Sequence, residues 1–285
     1  MVEYNPLHTL PTEADLPETD NQPVDNELQI LIPNLLRAIL ALHWGDRQDW
    51  FLGVNLGLYY DPNKPAIGPD GFLSIGVPRF RAGERLRLSY PIWQENNIVP
   101  QWVLEVVSKT SGKEYSSKLA EYATIGVLYY TVYNPEYWKR DRHDPFEVYR
   151  LENGVYVKQP GNPLWMPEIG LGIGRERGTH EGLTREWLYW YDESGDRLPA
   201  PENVIDQMRQ RTEQERQRAE QERQRAEQER QRAEQERQRA EQERQRAEQV
   251  EQQLIQERRL NEEERRLREE LLEKLRQRGI NPDDL

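Results

Sequence analysis

In WVLEVVSKT, residues 102 to 110, one carboxylate, Glu105, stands inside a run of Val, Leu and Trp that reads as a buried strand. An ionised carboxylate in such a strand costs several kcal/mol unless a cation compensates it. Period two puts Trp102, Leu104 and Val106 on one face and Val103, Glu105 and Val107 on the other. Upstream, Asp70 follows Pro69 at the mouth of a strand read from GFLSIGV, and downstream Lys118 lies on the helix that follows Glu105. Two carboxylates on neighbouring strands with a lysine nearby suit Mg²⁺, the lysine stabilising charge on a transferring phosphoryl group. Mg²⁺ keeps much of its water, so two carboxylates and a main-chain carbonyl are enough protein ligands.

Each residue also has a plainer role. Glu105 could sit at an exposed strand end, or pair with Lys109 or Lys118 for structure alone, and Asp70 lies in a Pro-Asp-Gly turn sequence. Lys118 could be a solvated helix lysine, and Glu27 is either an extra ligand or a partner of the first helix's dipole. His8, His43, His143 and His180 lack ligand spacing such as HExxH, which speaks against zinc. GLGIGRERG, residues 170 to 178, does not lead from a strand into a helix as a phosphate loop must, and reads as a turn. The eight Trp read as core and closing layer.

The elements that must position these residues are legible in outline. NELQILIPNLLRAILALHW spaces its apolar residues as an amphipathic helix, with Pro33 near the first turn. WFLGVNLGLYY, GFLSIGV and QWVLEVV read as strands, with a polar surface excursion, residues 79 to 100, between the last two. KEYSSKLAEYATI reads as a helix ended by Gly126, VLYYTVYNP as a strand, and FEVYRLENGVYVKQ as a hairpin turning at Asn153 and Gly154. Trp165 to Trp190 reads as an irregular closing layer. The order implies a mixed α/β sheet with flanking helices.

Pro69 and Asp70, then LEVVS from Leu104 to Ser108, then KLAEYATIGVLYY from Lys118 followed by Asn134 and Pro135, form an ordered pattern. Over roughly residues 20 to 200 it resembles the PD-(D/E)xK nuclease superfamily. Within that superfamily it is similar to the Uma-two family of restriction-endonuclease-like proteins, of the type abundant in cyanobacteria. The resemblance implies a restriction-endonuclease-like fold and Mg²⁺-dependent (or Mn²⁺-dependent) hydrolysis of phosphodiester bonds in DNA. Asp70, Glu105 and the carbonyl of Val107 would hold the ion, and Lys118 would orient the attacking water or stabilise the transition state. The superfamily's lysine position, two after the glutamate, is Val107 here; the Uma-two pattern uses the helix lysine instead. The Asp often found shortly before that lysine is replaced by Ser116 and Ser117. A nuclease fold without chemistry, acting as an interaction or scaffold protein through its tail, is the alternative.

The sequence divides into a flexible opening, 1–25, a globular part, 26–200, and a charged helical tail, 201–285. From Glu215 to Gln249 the heptad ERQRAEQ repeats five times, with alanines from Ala219 to Ala247 as its apolar stripe. One seam position in each repeat is polar, so the tail reads as a single charged helix or a weak coiled coil. Association with a second copy or a protein partner would begin at the leucines beyond Val250, and Gly279 and Pro282 should stop the helix. The first 205 residues hold 19 Lys and Arg against 29 Asp and Glu, which argues against a broad electrostatic grip on nucleic acid but leaves room for a local basic cleft. There is no cysteine, which excludes disulfides and thiolate chemistry. With no signal-peptide pattern and no membrane-length apolar run, a soluble cytoplasmic protein is expected.

Overall fold

A computed structural model of the chain describes residues 10–17, 26–82, 85–110 and 113–277. The apolar stripe of the first helix forms α1, Leu28–His43. The Leu28 and Gln29 amides at its start donate to Asn26 Oδ1, at 2.9 and 3.3 Å. Pro33 lies inside α1, beyond the first turn. It removes the amide that the Gln29 carbonyl would accept, and Asn55 Nδ2 donates there at 3.4 Å.

The elements that follow are β1 (Trp50–Val54), β2 (Leu58–Tyr59), β3 (Gly71–Ile75), β4 (Tyr90–Pro91), β5 (Trp102–Val106), α2 (Ser117–Ile125), β6 (Tyr129–Tyr133), α3 (Trp138–Asp141), β7 (Phe146–Glu152) and β8 (Val155–Gln159). Six of the strands form one sheet in the order β1-β3-β5-β6-β7-β8. Only β5 and β6 are parallel neighbours in it, with α2 as their crossover. That crossover sets the start of α2 near the carboxyl end of β5. The expected mixed sheet with flanking helices is what forms.

Two regions depart from the sequence reading. Residues 164 to 191 make an antiparallel sheet, β9 (Leu164–Met166), β10 (Leu171–His180) and β11 (Leu183–Tyr191), in place of an irregular layer. GLGIGRERG is thus mostly strand. Gly178 serves close approach there, since a Cβ would lie 2.1 Å from the Tyr189 hydroxyl. The excursion at 79 to 100 is partly interior: Tyr90 and Ile92 are buried, and the buried carboxylate of Glu95 holds Arg87 at 2.8 Å. It also receives the opening segment, where the Trp93 indole donates to the Pro11 carbonyl at 2.8 Å and Leu16 is buried.

The alternation of β5 organises two cores. Trp102, Leu104 and Val106 pack with α1 and the second sheet, the Trp102 ring meeting Trp190 edge-on at 4.9 Å. Val103 and Val107 pack with Tyr122 and Tyr130 on the side of α2. Four of the Trp, at 50, 102, 187 and 190, are fully buried, as core residues should be.

Helix α4, Pro201–Gln277, carries the heptads. The chain falls into two compact units, Met1–Met208 and Arg209–Leu285. Along the repeats every side chain is exposed, the alanines included, and Gln217 and Gln224 each donate to the glutamate four residues earlier. Gly279 and Pro282 lie outside the described residues. Among those described, no helix is long and apolar enough to cross a membrane.

Candidate active site

Antiparallel register pairs Gly71 with Leu104 and Phe72 with Val103, so one step further sets Asp70 opposite Glu105. The start of β3 is clamped from above by α1. A Cβ on Gly71 would meet the Pro33 side chain at 3.0 Å, closer than nearly all real contacts. Asp70 is buried, and its Oδ2 accepts the Val106 amide at 2.6 Å. One carboxylate is thereby fixed to the backbone of the strand that carries the other.

Glu105 faces α2, as the alternation requires. Its Oε2 accepts from Lys118 Nζ at 2.7 Å and its Oε1 from the Tyr122 hydroxyl at 2.6 Å. Lys118 and Tyr122 are four residues apart, one above the other on the same helical face. Glu105 is fully buried, whereas Lys118 keeps 29% of its side chain exposed. The lysine therefore joins the buried acids to solvent.

A third buried carboxylate acts on the pair through its charge. Glu114 is buried four residues before Lys118, and the Tyr130 hydroxyl donates to its carbonyl at 2.8 Å. Ser116 and Ser117, which precede the lysine, are exposed. Burial, then the charge of Glu105, pushes Asp70 well above the ordinary carboxylate range. Burial raises Glu105 and Glu114 also, against the lowering pull of Lys118. For Lys118 burial acts downward, but the three carboxylates outweigh it and raise the amine, which stays charged. Burial and the Glu105 charge push Tyr122 far up, so it keeps the proton it donates.

Asp70, Glu105 and Lys118 are thus brought together, and Val107 adjoins them. The Val107 amide donates to the Tyr133 carbonyl at 2.8 Å, and its side chain is buried in the α2-side core, so only its main chain can serve an ion. Lys109 goes elsewhere: it is exposed, and its carbonyl accepts from Arg140 at 2.6 Å. Glu27 is exposed at the start of α1 and makes no capping bond there, while Gln29 reaches in and donates to the Val106 carbonyl at 3.3 Å. His143 pairs with Glu147 and His180 with Glu202, His43 is exposed, and His8 lies outside the described residues.

Three contributors escaped sequence reading. Tyr122 was marked only by its four-residue spacing from Lys118, and Gln29 by being a polar residue within the buried stripe of Ile32, Pro33 and Leu36. Glu114 carried no periodic signal. Among the described residues no three His, Cys, Asp or Glu side chains stand close enough to hold an ion by themselves. The donor set still suits a hard cation: the buried carboxyl oxygens of Asp70 and Glu105 lie on adjacent strands beside the main chain of Val107, and a bound cation would favour their ionised forms.

Comparison with protein families matches residues 20–177 to Uma2, described as "Putative restriction endonuclease". No curated protein matches the chain.

Proposed function

The matched span is more than half of the chain, which therefore belongs to the Uma2 family, and on that premise we infer that it is a divalent-cation-dependent DNA endonuclease. The observation that carries this reading is the buried Asp70–Glu105 pair on adjacent strands, with Lys118 at 2.7 Å on the crossover helix. Asp70, Glu105 and the Val107 carbonyl would hold Mg²⁺ or Mn²⁺. The bound ion supplies positive charge at the phosphate and makes water a better nucleophile.

The chain's own residues do the remainder. The Val106 amide fixes the Asp70 carboxylate, and the Tyr122 hydroxyl fixes one oxygen of Glu105. Lys118 holds a full positive charge at the solvent side of the acids, where it orients the attacking water or stabilises charge on the five-coordinate phosphorus. The globular part carries the chemistry, and the exposed Leu254, Leu260, Leu267 and Leu271 of the tail take a second copy or a protein partner.

A second reading is supported by one observation: both Glu105 oxygens already have donors, Lys118 and Tyr122. In that reading the acids are closed on each other, and the protein is a scaffold acting through its tail. Calorimetric titration of the full chain with Mn²⁺, together with a plasmid-nicking assay, separates the two. Mn²⁺ binding that Asp70→Asn removes, with nicking that falls alongside it, supports the nuclease. No binding by the parent protein leaves the scaffold.

A further inference from the structure

At the outer edge of the six-stranded sheet lies a cleft of about 230 Å³, floored by β1 from Phe51 to Val54. Five guanidinium groups line it: Arg37 from α1, and Arg79, Arg81, Arg85 and Arg87 from the connection after β3. This concentration is unexpected in a globular part where carboxylates outnumber cations.

Two of the five are held by carboxylates, while Arg37 donates to Asn34 Oδ1 at 2.9 Å and Arg85 to the Ala82 carbonyl at 3.4 Å. Arg87 forks onto Glu95 at 2.8 and 3.1 Å, and Arg81 reaches Glu95 at 2.8 Å and Glu13 at 3.4 Å. The other three have no carboxylate within ion-pair distance among the described residues. The Arg79 guanidinium carbon lies over the Trp50 ring at 4.1 Å and over the Phe80 ring at 4.9 Å. Burial, then the like charges of Arg37 and Arg87, lower its affinity for its proton. Where no carboxylate among the described residues stands beside them, neighbouring arginines repel one another, and an anion relieves that repulsion. Their planar forks match phosphate oxygens.

The position of the cleft limits what the anion is. Val54 pairs with Gly71, and the Asn55 amide donates to the Asp70 carbonyl at 3.2 Å. The cleft thus ends at the strand terminus that carries Asp70. The four-residue floor runs for about 13 Å, longer than a single phosphate and long enough to follow successive phosphates of one strand. Phe80, 55% exposed at the rim, offers a face on which a base can stack.

We propose that this arginine cleft grips the phosphate backbone of a DNA strand next to the point of cleavage, a role that rests on reading Asp70 and Glu105 as a nuclease centre. The test measures binding of the full chain to a fluorescein-labelled DNA duplex by anisotropy, in EDTA, across a range of NaCl. Arg37 and Arg85 are exposed, so Arg37→Ala with Arg85→Ala should leave the fold intact, as thermal melts will check. The double variant should bind at least ten-fold more weakly at low salt. Its slope of log affinity against log salt should fall by about 2, one for each lost phosphate contact. Lysine at both positions should restore the slope. Failure of the parent to bind duplex, or an unchanged slope in the double alanine variant, overturns the proposal. If the parent binds with the expected slope but cuts nothing with Mn²⁺, the cleft stands and the nuclease reading fails.

Discussion

Replacing Lys118 with alanine leaves Glu105 buried with only the Tyr122 hydroxyl beside it. Losing one partner of a fully buried ion pair costs about 3–5 kcal/mol. Lys118 is 29% exposed, so water already screens part of the pair, and Tyr122 still holds Oε1. A loss of about 2 kcal/mol at pH 8 is therefore expected, or roughly 4–8 °C in the melting of a globular part of this size. The pH dependence has a definite sign. The Glu105 carboxyl already titrates above its unfolded value because of burial, and losing the ammonium raises it further. A carboxyl raised on folding adds stability while it is protonated and loses it as pH rises from the unfolded value through the folded one. The variant's deficit should be small below the ordinary carboxylate range and grow toward pH 8. Tryptophan fluorescence is the right probe in EDTA, because all eight Trp precede residue 191 and the helical tail stays silent. A variant as stable as its parent, with the same slope against pH, would show that Lys118 and Glu105 are not a buried pair.

Asp70→Asn and Glu105→Gln should each abolish the heat of Mn²⁺ binding and any DNA cleavage. Because Asp70 titrates well above its unfolded value, the parent loses stability as pH rises through the carboxylate range, so Asp70→Asn should melt higher than the parent at neutral pH in EDTA and lose that advantage in acid. Tyr122→Phe strips Glu105 Oε1 of its donor; about 1–3 kcal/mol of stability should go, with slower cleavage, as urea titration and nicking rates would show. Deleting residues 215–249 should leave Mn²⁺ affinity and oligomeric state unchanged, and a change of mass in light scattering would make the repeats an assembly device.

The site was legible where one local rule decided the outcome. Period two in β5 separated Glu105 from Trp102 and Leu104, and the structure splits its cores along that line. The pairing of Asp70 with Glu105 needed the register of β3, which no local pattern contains, so the ordered motif had to stand in for it. The second sheet was hidden by its own packing. Gly178 makes room for the Tyr189 hydroxyl of the paired strand, and seen without that partner the glycines of 170 to 178 resemble a turn. The excursion at 79 to 100 misled for a similar reason: its charges read as solvated, yet Glu95 and Arg87 neutralise each other in the interior.

The heptads of α4 have a mechanical corollary. Seven residues advance a helix by about 10.5 Å and turn it to within about 20° of two full revolutions. Every repeat side chain faces water, so duplicating or losing a unit breaks no packing. Such a segment behaves as a telescoping rod with discrete stops. Each stop changes the distance to the leucines beyond Val250 while leaving their bearing about the axis almost as it was, so a change in the number of repeats would tune reach without a folding penalty.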